Sequence, residues 1–180
     1  MKMLCTSFAP LGKPRTPTED GLFPAAQQEA LESMHAQLNT NLLNGVYRAG
    51  IALLMGNHDG AAAARADVFN QLTELNLLLG TSRFLFGEQL TVVDIRLCMC
   101  LLRFDAAYYR GFGLDQHQGG RGAILIGDSF PNVRRFVREL YQHVSPTVHW
   151  PTFRQYYRWC PGHPSDQLHA IVASAQNDGL

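Results

Sequence analysis

The stretch Leu90–Phe104, LTVVDIRLCMCLLRF, limits what this chain can fold into more than any other. Thr91 followed three residues later by Asp94 reads as a capping box. In that motif the Thr hydroxyl accepts from the Asp94 amide and the Asp carboxylate reaches back to the Thr91 amide. Glu or Gln is the usual partner at the third position, so Asp is a shorter-armed form. Leu90 and Ile95 are spaced to close a hydrophobic staple across the cap. Beyond Arg96 the residues LCMCLL are apolar on every side as far as Arg103. A helix apolar all round belongs in the middle of a core, and this one is too short and too charged at its ends to cross a bilayer. The remaining elements must pack around it.

Composition narrows the class further. A chain of 180 residues fits one domain with a substantial core. Its hydrophobic content of 46% and charged content of 17% are globular values. The formal net charge is zero, which argues against bulk attraction to nucleic acid or to an anionic membrane. The basic run RRFVR at 134–138 fits a solvated helix flank better than a nucleic-acid face. Cys5, Cys98, Cys100 and Cys160 form neither a C-x-x-C pair nor a zinc spacing. Cys98 and Cys100 are two residues apart on a helix and cannot readily bond each other. Reduced buried thiols and a soluble, cytoplasmic protein are expected, since the start MKMLCTSFAPLGKPR has too brief an apolar run for a secretory signal.

In chain order, Pro10, Pro14 and Pro17 mark residues 1–22 as a flexible lead-in, and Pro24 suits a first helical turn. Leu31, Met34, Leu38, Leu42, Val46, Ala49 and Leu53 then recur at threes and fours, which predicts one long amphipathic helix. Gly45 and Gly50 interrupt it, and glycines kept inside a helix often mark a close approach. Asn57–Gly60 reads as a turn, with Asp59 as candidate cap of a helix carrying Val68, Leu72, Leu75 and Leu79 and stopping at Gly80. After Tyr109 comes a Gly-rich segment with AILI as a short extended piece, and its GGRG lacks the G-K-[ST] of a phosphate loop. Ser129 or Asp128 is placed to cap the following helix, which has Pro131 in its first turn and Val133, Phe136, Val137 and Leu140 inside. A last short helix is expected over Trp150–Trp159. No alternating strand pairs and no repeats occur, so the class is all-α, an orthogonal bundle of about five helices.

Candidates for chemistry are few. Tyr47, Tyr108 and Tyr157 each offer a flat apolar face and a hydroxyl that donates and accepts, suited to an aromatic substrate. By periodicity alone they fit ordinary aromatics at the edge of a core better than a binding site. No metal site is expected: none of the seven histidines stands at i,i+4 from another with an acidic partner, and His143 and His149 read as surface residues. No G-x-S-x-G elbow supports a serine triad. Asp94 reads as a helix cap.

Five segments carry a resemblance: NGVYRAG at 44–50, RFLFGEQLTVVDIRL at 83–97, RFDAAYY at 103–109, FPNVRRFVRELYQ at 130–142 and TVHWPTFRQYY at 147–157. The capping box resembles that of the C-terminal helical domain of glutathione S-transferases. The five segments in order resemble glutathionyl-hydroquinone reductases, an omega-like or Xi-class branch, over roughly Phe23–His163. That resemblance implies a two-domain subunit. A thioredoxin-like N-terminal half binds glutathione and carries the catalytic cysteine in a Cys-Pro context, and a helical half holds the hydrophobic substrate. Such enzymes strip glutathione from glutathionyl-hydroquinones with a second glutathione, releasing the disulfide. By motif position, Tyr47, Tyr108 and Tyr157 match the tyrosines that hydrogen-bond the quinol oxygens. Four departures stand out, one being a tail after His163 without the Asn-Pro signature that the resemblance implies there. About twenty residues precede the first helix, fewer than the roughly thirty of one βαβ unit. Cys5 is followed by Thr6, and the Gly-rich 110–128 loop is expanded.

The expectations are therefore a helical domain over 23–163 with a tail at 164–180, and no catalytic residue assigned within the chain. Glutathione enters as co-substrate through the resemblance alone. The leading reading is the substrate-binding domain of such a reductase, and the other is a non-catalytic helical module for an aromatic ligand or a protein. Expected partners are a quinol-type aromatic and either a second copy or a separate thioredoxin-like half, with neither nucleic acid nor membrane.

Overall fold

The computed structural model describes residues 21–117, 122–125 and 127–157, apart from the side chains of Arg154 and Tyr157, and its regular elements are all helical. They are α1 (Gln28–Leu38), α2 (Gly45–Leu54), α3 (His58–Thr81), α4 (Val92–Arg103), α5 (Pro131–Val144) and α6 (Trp150–Tyr157). A π-helical turn over Asn39–Leu43 joins α1 to α2. Counted as one bent run, these two leave five helices, as the periodicity implies. The lead-in before Gly21, Cys5, Cys160 and everything beyond Tyr157 lie outside the described residues, as do the end of the expected Trp150–Trp159 helix and the tail.

Helix α4 is central. Val92, Val93, Leu97, Cys98, Cys100, Leu101 and Leu102 are all buried. Its capping box is formed, with the Thr91 amide donating to Asp94 Oδ2 at 2.8 Å. The Thr91 hydroxyl also donates to that oxygen, at 2.6 Å, and the Leu85 amide donates to Oδ1 at 2.9 Å. The second carboxylate oxygen thus anchors the connector before α4. There Phe84 and Gly87 exchange backbone bonds around Gly87, whose φ of 91° favours glycine. Asp94 is a structural cap, with its oxygens occupied. On the other side, the Val92 amide donates to Leu22 O at 2.8 Å, tying the incoming chain to the start of α4.

The stripe expected for one long helix is buried at Leu31, Leu38, Leu42, Val46 and Ala49. The helix itself is not uniform. The π turn inserts one residue just before Gly45, where α3 comes so near that a Cβ would lie 2.9 Å from Val68 Cγ2. Close approach explains this glycine.

Three expected caps differ from the structure. Asn57, not Asp59, caps α3, accepting from the Gly60 amide at 2.9 Å. Gly80 does not terminate α3 in a left-handed conformation; it stays helical and the helix runs on to Thr81. A Cβ there would meet Asn132 Nδ2 at 2.9 Å, so this glycine also admits a neighbouring helix. Neither Asp128 nor Ser129 caps α5. Asn76 of α3 does so instead, its Oδ1 accepting from the amides of Asn132 and Val133 at 2.9 and 3.3 Å. Arg135 of α5 returns the favour, its Nη2 donating to Leu79 O at 2.7 Å and Ser82 O at 3.1 Å. Each helix satisfies orphan backbone groups at an end of the other. The RRFVR run is accordingly absorbed in structure, with Arg135 also pairing with Glu139 and Arg134 with Asp128.

No strand occurs among the described residues. The expected extended piece is a bend whose Ile124 and Leu125 side chains are buried. Asp105 holds it, accepting from the Ile124 amide at 2.7 Å and the Leu125 amide at 2.6 Å. Among the described residues no helix is long and apolar enough to cross a membrane.

Candidate functional site

After Arg103 the backbone of α4 widens into a second π turn, Phe104–Tyr108, followed by one α turn, Tyr109–Gly111. π turns inside helices are frequent at functional sites because the inserted residue redirects side chains. Here the turn places Asp105 toward the 122–125 bend and Tyr108 toward α2. The Tyr108 hydroxyl lies 3.1 Å from that of Tyr47, and the two rings meet edge to face at 5.5 Å. Tyr108 is 4% exposed and Tyr47 46% exposed, so the pair presents one phenol to solvent and holds the other within the protein.

Phe112 completes the aromatic cluster. Its ring stacks on Tyr108 at 5.4 Å and 17°, and lies 5.4 Å from Tyr47. Two glycines make this possible. A Cβ on Gly50 would fall 2.7 Å from the Phe112 ring, and Gly113 has a φ of 68° that returns the chain after it. Gly45 and Gly50 both signalled a close approach in the sequence, but nothing there identified Phe112 as the group approaching Gly50. Asp105 was also not legible as the anchor of the Gly-rich segment, because its partners are backbone amides nearly twenty residues away.

Of the three expected tyrosines, the structure brings Tyr47 and Tyr108 together. The side chain of Tyr157, the last residue of α6, is outside the described residues. His149 Nδ1 accepts from the Thr152 amide at 3.4 Å in the first turn of α6 and lies 2.7 Å from the Thr152 hydroxyl, and both His143 and His149 are exposed. Burial pushes the Cys98 and Cys100 thiols up to about 12 each, so neither is a nucleophile at neutral pH. Among the described residues no group of three His, Cys, Asp or Glu side chains is arranged to hold a metal ion.

A phenol hydroxyl both donates and accepts, and Tyr47 carries the exposed member of the pair. Such a pair can recognise an oxygen on an aromatic ring, with Phe112 and the tyrosine rings contributing apolar faces. This is recognition chemistry.

Residues 58–139 match the glutathione S-transferase C-terminal domain family. Through this helical domain the chain resembles the glutathione S-transferase superfamily. Within it, the chain is similar to glutathionyl-hydroquinone reductases. It is 33% identical to YqjG of Escherichia coli K12 over 87% of this chain and 44% of that protein. It is 32% identical to PcpF of Sphingobium chlorophenolicum over 83% of this chain and 44% of that one. The glutathione-bound structure of YqjG superposes with a TM-score of 0.73 at 30% identity, covering 97% of this chain and 50% of that chain. The Xi-class transferase of Phanerochaete chrysosporium gives 0.74 at 26% identity, over 93% and 51%. The chain therefore spans about half the length of the relatives it matches.

Proposed function

We propose that this chain is the substrate-binding half of a glutathionyl-hydroquinone reductase and that Tyr47 and Tyr108 hydrogen-bond the oxygens of a quinol. The observation that carries the reading is the 3.1 Å hydroxyl pair set against Phe112. In this account Tyr47, half exposed, meets the ligand first, and Tyr108 orients the Tyr47 hydroxyl from below. Tyr157 is assigned to the same site by its place in the motif. Glutathione is the co-substrate, received by a thioredoxin-like half outside this chain. The exposed Ile51, Leu54 and Met55 continue along α2 from Tyr47, and an apolar face of this kind supports docking of that half or of a second copy.

A second reading has its own support. With the described thiols buried and protonated, the chain by itself is equipped to bind an aromatic ligand without transforming it. Supplying the purified chain with a glutathionyl-hydroquinone and glutathione separates the two. Saturable binding without turnover supports a binding half that needs a catalytic partner or none, and addition of a separate thioredoxin-like half then restores turnover only under the first reading. The absence of any saturable binding sinks both.

A further inference from the structure

We propose that Arg48 is a positioning residue for the tyrosine pair: with Asp67 it latches the first π turn and so sets the rotation at which Tyr47 meets Tyr108. This role rests on the reading of that pair as the quinol site and adds a residue to it.

Tyr47 stands about one helical turn beyond the π turn Asn39–Leu43. That turn holds one residue more than an α turn would. Were it to relax into α geometry, every later side chain of the run would swing by about 100° around the helix axis. Tyr47 would then leave the hydroxyl of Tyr108, which is buried and fixed. Isolated π turns are rare, and this one is held from outside. Arg48 Nη2 donates to the Thr40 carbonyl within the turn at 3.1 Å and to Asp67 Oδ2 of α3 at 3.2 Å. The next residue, Asn41, donates from Nδ2 to Oε1 of the buried Gln71 at 3.1 Å. Asp67 and Gln71 are neighbours on one face of α3, so consecutive residues of the π turn are tied to consecutive turns of the same helix. The Arg48 guanidinium passes over Gly45, where a Cβ would stand 3.9 Å from Nη2.

Global stability does not account for the latch. The side chains of Arg48 and Asp67 are 48% and 49% exposed, and an ion pair so open to water contributes little to folding. Its effect is local, because one nitrogen joins a carbonyl of the π turn to the neighbouring helix beside Tyr47. A lysine ammonium has three N–H donors and can serve both acceptors. Methionine, of similar length, has none.

The test reads the nuclear Overhauser contact between the Tyr47 and Tyr108 rings in the full chain and, separately, its affinity for a glutathionyl-hydroquinone. Arg48→Met is expected to lose the ring contact and to bind about fivefold more weakly, the loss of one hydrogen bond, with a melting temperature close to that of the native chain. Arg48→Lys should keep both. On a Tyr47→Phe background Arg48→Met should weaken binding no further, because it acts through the Tyr47 hydroxyl. Asp67→Ala, which removes only the α3 end of the latch, should weaken the same ring contact and decides the matter if Arg48→Met does not fold. An intact ring contact in either variant, a lysine variant as defective as the methionine one, or an additive loss on Tyr47→Phe would each overturn the assignment. A lost ring contact with unchanged affinity would uphold the latch and sink the quinol reading instead.

Discussion

Tyr47 and Tyr108 are 61 residues apart in sequence, and so are His35 and Arg96, a second side-chain pair that joins the same two helical runs. Equal separations at two points twelve residues apart mean that α1–α2 and α4 with its extension run side by side in the same direction and in constant register. Each run passes through one π turn between its two contacts, Asn39–Leu43 in the first and Phe104–Tyr108 in the second. A single inserted residue in one run alone would rotate its later side chains by about 100° relative to the other. The matched insertions keep the two hydroxyls facing each other.

Gly50 is where this arrangement is most sensitive. Alanine is the better helix former by about 1 kcal/mol, yet its Cβ would stand 2.7 Å from the Phe112 ring. Overpacking of this kind costs about 1–3 kcal/mol, so Gly50→Ala is expected to be net destabilising in urea unfolding and to alter the near-ultraviolet signal of the tyrosines. A gain in stability would show that Phe112 is not seated against α2.

Asp105 secures the Gly-rich segment through two buried backbone amides. Replacing it with Ala leaves both without an acceptor, at a cost of about 3 kcal/mol given the usual loss per buried charge-assisted bond. Hydrogen exchange should accelerate at Ile124 and Leu125 before it does in α4. Uniform acceleration across the helices would contradict a local anchoring role.

Asp94 makes a pH-dependent contribution of unusual sign. Burial raises its carboxyl above the ordinary value of 3.8, against the opposing pull of the Leu85 and Thr91 donors. A group that holds its proton more tightly when folded gives its full stabilisation below its unfolded value and loses it as the pH rises through the folded one. The stability difference between the native chain and Asp94→Asn should therefore move in favour of the native chain as the pH is lowered from neutrality toward 3.8. A difference that moves the other way would mean that the hydrogen bonds to the ionised cap outweigh its desolvation.

Much of this architecture can be read from local pattern. Thr91 and Asp94 announce the start of the central helix because both partners of the box lie within one turn. Leu31, Leu38, Val46, Val68 and Leu72 declare their faces through spacing alone. What escapes such reading is every device whose two halves are distant in sequence. The caps exchanged by Asn76 and Arg135 replace the expected Asp128 or Ser129 and the expected Gly80, and no local preference encodes a cap supplied by another helix. The π turns escape too, since one extra residue leaves the threes-and-fours pattern almost unchanged. The tyrosines were legible as residue types and as a motif, and only the fold could bring Tyr47 to Tyr108.

The most direct measurement is the affinity of the chain for a glutathionyl-hydroquinone before and after Tyr47→Phe. Loss of one hydrogen bond to the quinol is expected to weaken binding by about 1 kcal/mol, roughly fivefold, with the fold and the melting temperature little changed because Tyr47 is half exposed. Tyr108→Phe in the same background should add less than it does alone, as the two hydroxyls act through one contact. Equal affinities for the native chain and Tyr47→Phe would contradict the account and leave the tyrosine pair a feature of packing.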